Sequence, residues 1–265
     1  MARRYFNRKF WALSISIIVL VSVALLVAIL SQSSPAATVT ISRQYDIAWI
    51  TPTTHTYCVQ NDVWNPDSGW VQTLQVNNQT GAFTVVAANH AKSTSGPPAS
   101  YASIYEGNHY GTVTANSGLP KRVSGLSVST NWSFGTASTG AWDAVYDVWF
   151  HQTSDYSGGS PNGAELMVWL NYQGAIQPAG SKIATVSLSG ATWEVWIATM
   201  NWQYIAYRIT SKTTFANFNI NTFVTDAVSR GYIQNSWYLI SVEAGFELWQ
   251  GGTGLKSNSF SVSVG

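Results

Sequence analysis

The sequence predicts an all-β domain, a sandwich or jelly roll of two antiparallel sheets carrying one short helix, and three observations predict it. From Thr38 onward the chain is rich in Thr, Ser, Val, Ile, Tyr and Trp, residue types that fit a pleated, half-buried surface. Short alternating runs recur between Gly, Asn, Asp and Pro turn signals, as strands joined by tight connections do. No repeat with a period of about 20–50 residues is visible, which disfavours a propeller.

The start of the chain is different. Arg3, Arg4, Arg8 and Lys9 precede an apolar run from Phe10 to Leu30, and a Ser/Pro/Ala stretch follows through Ala37. The run exceeds a signal core of about 7–15 residues and is long enough to cross ~30 Å of hydrocarbon. Residues 1–37 are therefore expected to be a signal peptide, cleaved near Ser34-Pro35-Ala36-Ala37, or an N-terminal membrane anchor with a short linker. Both alternatives put the basic flank inside and the domain, residues 38–265, outside. The protein is expected to be secreted, or held on the outer face of the cell membrane by residues 10–30.

Strands are expected over Gly69–Val76, Ala82–Ala88, Val123–Trp132, Ala144–Phe150, Leu166–Tyr172, Thr192–Ala198, Tyr204–Ile209, Trp237–Trp249 and Ser257–Val264. One segment breaks the rhythm. Ile220, Phe223, Val224, Ala227 and Val228 recur at helical spacing, Asn219 or Asn221 offers a cap, and Arg230-Gly231 offers a stop. A helix packed on the outside of a sheet is expected there.

Charge excludes several functions. The net charge is +1 and 9% of residues are charged, so no basic stripe exists to hold nucleic acid and no membrane contact is expected beyond the anchor. Cys58 is the only cysteine in the chain, so no intrachain disulfide forms and stability must come from packing. A monomer is expected.

Carboxylates are scarce, five Glu and seven Asp, against 13 Trp and 13 Tyr. Flat sugar faces stack on aromatic rings, so carbohydrate is the natural ligand. In Ala164-Glu165-Leu166-Met167-Val168-Trp169-Leu170 the strand period puts Glu165, Met167 and Trp169 on one face. Gly245-Phe246-Glu247-Leu248-Trp249 is built alike, with Glu247 beside Trp249, and Asp147 in Tyr146-Asp147-Val148-Trp149 repeats the pattern. Burying an ionised group without partners is costly, and glycoside hydrolysis supplies a reason: it needs two carboxyl groups flanking the scissile bond. Glu106 and Glu194 read better as exposed strand residues. Glu243 shares a strand face with Glu247, and parity leaves the two tied.

Other chemistries have less support. His55, His90, His109 and His151 show no ligand spacing, so no metal and no cofactor are expected. A Ser-His-Asp triad lacks its Gly-x-Ser-x-Gly elbow. Gly251-Gly252-Thr253-Gly254 follows a strand with no helix behind it, which suits a turn beside the cleft better than a phosphate cradle.

Gly163 to Leu170, together with Ala244 to Leu255, resembles glycoside hydrolase family 12, the retaining endo-β-1,4-glucanases. Tyr57 to Trp64, Ser100 to Tyr110, Tyr146 to Phe150, Ile176 to Ser181 and Trp193 to Trp196 look like family segments in the same order, so the resemblance spans Thr38 to Gly265. It implies a jelly roll of two curved antiparallel sheets with an open substrate cleft on the concave face, Glu165 as nucleophile and Glu247 as general acid/base. It also chooses Glu247 over Glu243, and implies that Asp147 hydrogen-bonds the nucleophile. Trp64 matches a sugar-stacking platform, and Asn61, His109, Met167 and Trp169 fall where the family lines its cleft. Asp62 stands where the family often has Asn. The expected activity is endo-hydrolysis of β-1,4-glucosidic bonds in cellulose or related β-glucans. Alternatives are a xyloglucan- or mixed-linkage-glucan-specific enzyme of the same fold, or a non-catalytic carbohydrate-binding surface protein.

Overall fold

The computed structural model describes residues 38–50, 56–156 and 161–265. The expected export signal or anchor, residues 1–37, lies outside the described residues. Among these, no helix is long and apolar enough to cross a membrane.

Among the described residues seventeen strands and one helix follow in chain order: β1 (Thr38–Ile41), β2 (Ile47–Ile50), β3 (Tyr57–Gln60), β4 (Gln72–Asn77), β5 (Phe83–Ala88), β6 (Ser100–His109), β7 (Thr112–Val113), β8 (Lys121–Arg122), β9 (Val128–Gly135), β10 (Ala141–His151), β11 (Ala164–Gln173), β12 (Ser181–Leu188), β13 (Ala191–Thr199), β14 (Gln203–Ile209), β15 (Phe215–Asn219), α1 (Asn221–Ser229), β16 (Tyr238–Gln250) and β17 (Lys256–Val264). They form a jelly roll of two sheets. The six-stranded sheet runs β1-β4-β5-β17-β9-β15, and the eleven-stranded sheet runs β12-β13-β14-β11-β10-β16-β6-β3-β2, with β7 beside β6 and β8 beside β16.

Several details differ from the sequence expectation, among them Glu106, expected exposed but buried on β6 at 1% exposure. β14 pairs with β11 in parallel, because the chain makes a β12–β13 excursion to the sheet edge and β14 fills the place beside β11 on its return. The run expected from Val123 begins as a turn, with the Leu126 N–H on the Val123 carbonyl at 3.1 Å. Gly125, at φ +91°, takes the left-handed geometry that a Cβ would resist, so the strand starts at Val128.

The core is made by alternation. From the larger sheet, Trp142, Ala144, Tyr146, Val148 and Phe150 of β10, Leu166, Val168 and Leu170 of β11, and Val242, Ala244, Phe246 and Leu248 of β16 face the smaller one. There they meet Leu74, Phe83, Val85, Trp132, Phe134 and Val262. Burying each large apolar side chain is worth about 1.5–3 kcal/mol, and a one-residue slip would turn the whole set outward. The core therefore fixes which residues of β10, β11 and β16 point the other way.

Eleven strands are more than six can cover, and α1 covers part of the excess. Phe223 packs edge-to-face on Trp193 of β13 at 5.0 Å and against Tyr207 of β14 at 5.1 Å. The helix starts differently from expectation: Ile220 is the N-cap and makes no side-chain cap bond. Asn219 Oδ1 instead accepts the Asn221 N–H at 2.8 Å, and Asn221 Oδ1 accepts the Val128 N–H at 3.1 Å. These ties dock the helix start on β9 rather than capping it. Cys58 on β3 is fully buried and unbridged.

Candidate active site

Because the core takes the even-numbered residues of β10 and β16, the odd-numbered ones, among them Asp143, Asp147, Glu243 and Glu247, lie on the outer face of the larger sheet, as does Glu165 of β11. That face carries a cleft of about 1230 Å³ running from Ile47 on β2 to Tyr204 on β14. Trp64, Tyr110, Trp149, Trp169, Trp202 and Trp249 line it, and so do Glu165, Asp147 and Glu247. Gly251, Gly252 and Gly254 take positive φ in the turn that ends β16, as the sequence suggested.

Glu165 is 8% exposed and Asp147 6%. The Trp202 indole N–H donates to Glu165 Oε2 at 2.7 Å, and the Trp202 ring is held edge-to-face on Trp149 at 5.4 Å. Burial pushes Glu165 up to about 8, the indole bond opposes this by favouring the ionised form, and the Glu247 and Glu243 charges add to the rise. Asp147 sits in register between Met167 on β11 and Glu243 on β16. Burial, then the charges of Glu165, Glu243 and Glu247, push its carboxyl well above the usual carboxylate range; the hydrogen bond to Glu165 that the resemblance implies is not made, and Asp147 Oδ1 is buried without a partner. Glu247 is half-buried, and burial followed by the charge of Asp143 raises it well above the ordinary value. Carboxyls crowded into one cleft cannot all ionise, and the shared protons rest where the surroundings least favour the anion.

The tie between Glu243 and Glu247 ends in the geometry. Glu243 is fully buried, and its carboxylate is occupied by the Ser241 hydroxyl at 2.8 Å, His109 Nδ1 at 3.0 Å and the Gln60 amide at 3.1 Å. Glu247 lines the cleft.

The residues expected to bind substrate fall into two groups. Trp64, 44% exposed, lines the cleft along with His109, Met167 and Trp169. His109 is bound below by Glu243, and its Nε2 lies 3.8 Å from Asp62 Oδ2. Burial and the Glu243 charge raise Asp62 to about 6, against the lowering effect of His109. Met167 Sδ accepts the Tyr204 hydroxyl at 3.2 Å, and Trp169 packs on Trp249 at 6.2 Å. Asn61 is apart from these. It is fully buried, its amide donates to the Arg43 carbonyl at 2.8 Å and the Gln72 carbonyl at 3.3 Å, and its Oδ1 accepts from Gln72 at 3.0 Å. Asn61 holds the backbone ahead of Trp64 rather than facing the cleft.

Two residues of the site were not foreseen. Trp202 sits in a turn before β14, where periodicity carries no information. Asp143 is fully buried, and its Oδ1 accepts the Glu247 backbone N–H at 3.1 Å. Its signal was present in the sequence, since Asp143 shares strand parity with Asp147. Among the described residues no three His, Cys, Asp or Glu side chains are grouped as metal ligands.

With this geometry in view, the relatives fit. A family model described as glycosyl hydrolase family 12 matches residues 55–265. Endoglucanase S of Pectobacterium parmentieri is 33% identical over 78% of this chain and 81% of its own. Xyloglucan-specific endo-beta-1,4-glucanase A of Emericella nidulans is 32% identical over 89% of this chain and 98% of its own. Among solved structures, endoglucanase cel12A from Rhodothermus marinus superposes with a TM-score of 0.81 at 45% identity, covering 86% of this chain and 99% of that one. The chain belongs to glycosyl hydrolase family 12 and is a glycosidase.

Proposed function

We propose that this enzyme hydrolyses internal β-1,4-glucosidic bonds of β-glucans by double displacement, with Glu165 as nucleophile and Glu247 as general acid/base. The observation that carries the assignment is the Trp202 indole 2.7 Å from Glu165 Oε2. A donor aimed at one carboxylate favours its anion, whereas Glu247 faces another carboxylate, Asp143, and so favours the acid. In the first step a Glu165 oxygen bonds to the anomeric carbon as the C1–O bond to the leaving sugar breaks, and the Glu247 proton passes to the departing oxygen. In the second, Glu247 takes a proton from water, the water oxygen bonds to C1, and Glu165 leaves as the carboxylate. Asp147 supports Glu165 as its neutral neighbour. Trp64, His109, Met167 and Trp169 contact the sugar chain, and a cleft crossing the sheet from β2 to β14 accepts a chain in its middle, which suits endo cleavage.

A second reading, xyloglucan as the preferred glucan, is supported by the relative from Emericella nidulans whose name carries that specificity. We further propose that residues 38–265 act as a monomeric catalytic domain outside the cell, with residues 1–37 as export signal or anchor.

The test is reducing-end release from carboxymethylcellulose, mixed-linkage glucan, xyloglucan and xylan, with NMR of the first-formed anomer. Wild type is expected to release the β-anomer, and Glu165→Ala and Glu247→Ala to lose hydrolysis while staying folded. First-formed α-anomer, or full activity in either variant, would refute the assignment, and sugar binding without release would favour a binding module.

A further inference from the structure

We propose that Asp143 is the positioning residue of the acid/base: its buried carboxylate orients the Glu247 strand segment and keeps the proton on Glu247 until the glycosidic oxygen takes it. The inference rests on the reading of Glu247 given above.

The geometry is specific to this pair. β10 and β16 pair from Trp142 with Leu248 to Val145 with Gly245. Between these points the Glu247 amide is bonded to a β10 side chain, Asp143 Oδ1, at 3.1 Å. Asp143 is fully buried and does not line the cleft, so it acts on substrate only through Glu247. Its second oxygen, Oδ2, is buried with no protein donor. A buried carboxylate oxygen with no protein donor and no cation beside it is satisfied by a proton held by its neighbour, and Glu247 is the neighbour that acts on Asp143.

The surroundings leave that task to Glu247. The other ionisable groups acting on the pair are Asp147 of β10, Glu165 of β11, Tyr101 of β6 and Tyr204 of β14, with Glu243 further along β16 acting on Asp147, Glu165 and Tyr101. Both tyrosines are raised well above 10.0 by burial, so they are neutral. On β11 the register partner of Asp143 is Tyr172, whose ring carries Arg208 at 3.9 Å and Lys212 at 4.1 Å. Burial brings Asp143 to about 7, with Glu247 lowering it, while Asp143 raises Glu247. The pair thus shares one proton, carried by Glu247. When Glu247 has given that proton up, two anions face each other, which makes Glu247 a stronger base toward the water of the second step.

Asp143→Asn tests this, because an amide oxygen still accepts the Glu247 N–H while the negative charge is gone. On soluble β-glucan the alkaline limb of kcat/KM is expected to move down by about one pH unit or more, as removal of an adjacent charge does, with KM unchanged. On 2,4-dinitrophenyl β-cellobioside, whose leaving group needs no proton, the burst rate of glycosyl-enzyme formation is expected to match wild type. An unmoved limb, or an equal loss on both substrates at every pH, would overturn the proposal and leave Asp143 a structural residue. Should the variant unfold, carboxyl ¹³C titration of the wild-type enzyme decides instead: two coupled steps for Asp143 and Glu247 support the proposal, and two independent single steps reject it. Glu247→Ala run alongside separates the failures, since full glucan hydrolysis by that variant would sink the reading of Glu247 itself.

Discussion

The indole N–H of Trp202 meets Oε2 of Glu165 at 2.7 Å, a neutral donor aimed at a carboxylate that burial otherwise drives toward its acid form. Trp202→Phe keeps a ring against Trp149 and removes only the donor. Losing a bond to the ionised form raises the Glu165 value, so the acidic limb of kcat/KM should move to higher pH. A hydrogen bond to a charged group is worth about 1.5–3 kcal/mol, so kcat/KM should fall roughly 10- to 150-fold. A pH–rate profile of the variant against wild type checks both.

The His109–Glu243 pair makes stability depend on pH. Burial alone would lower His109, but Glu243 and Asp62 outweigh it and raise it above the ordinary 6.5. A raised histidine contributes its stability in full below the ordinary value and loses it as pH climbs through the native one. Glu243→Gln should therefore cost about 1.5–3 kcal/mol on the acid side of neutrality, with the gap in Tm narrowing as pH rises. Thermal unfolding across pH measures it, and a gap that widens with pH would contradict the assignment.

Trp64, exposed on the cleft wall, offers a flat face and no group for the chemistry. Trp64→Ala should raise KM and leave kcat almost unchanged, the mark of binding that is equal in ground and transition states. A lost aromatic contact of about 0.5–1.5 kcal/mol corresponds to roughly a 2- to 13-fold change in KM. Steady-state kinetics on a soluble glucan would show it.

Phe246 is fully buried between Glu247 and Gly245 in sequence and packs on Trp132 at 5.6 Å and on Phe83 and Phe134 at 6.0 Å. Phe246→Ala should cost about 3–5 kcal/mol, as large-to-small core changes do. Since the same strand holds Glu247, activity should fall before the domain melts. Denaturant unfolding followed in parallel with activity tests the coupling.

How much of this was legible in the sequence depended on whether a strand's two faces differed in chemistry. β10, β11 and β16 bury both faces, but their two faces differ in chemistry, so Glu165, Asp147 and Glu247 could be placed on the aromatic side from parity alone. β6 gave no such pattern: Tyr101, Ser103 and Tyr105 alternate with Ala102, Ile104 and Glu106, and all are buried. β12 failed in the opposite way, being mostly exposed along Ser181–Leu188. Periodicity also says nothing of which strands become neighbours. It could not see that Glu243 would be taken up by Ser241, His109 and Gln60, that Asn61 would turn inward to Gln72, or that a turn residue, Trp202, would reach Glu165.

Cys58 extends these consequences to the life of the chain. Its thiol is wholly buried on β3 and burial pushes it up to about 12, so in the native state it is protonated and out of reach of electrophiles, whose partner is the thiolate. With one cysteine in the sequence, the domain needs no oxidant to reach its fold, and its assembly is indifferent to the redox state of the compartment where it happens. The same thiol is a built-in clock: each alkylation by an added reagent records one opening of the larger sheet.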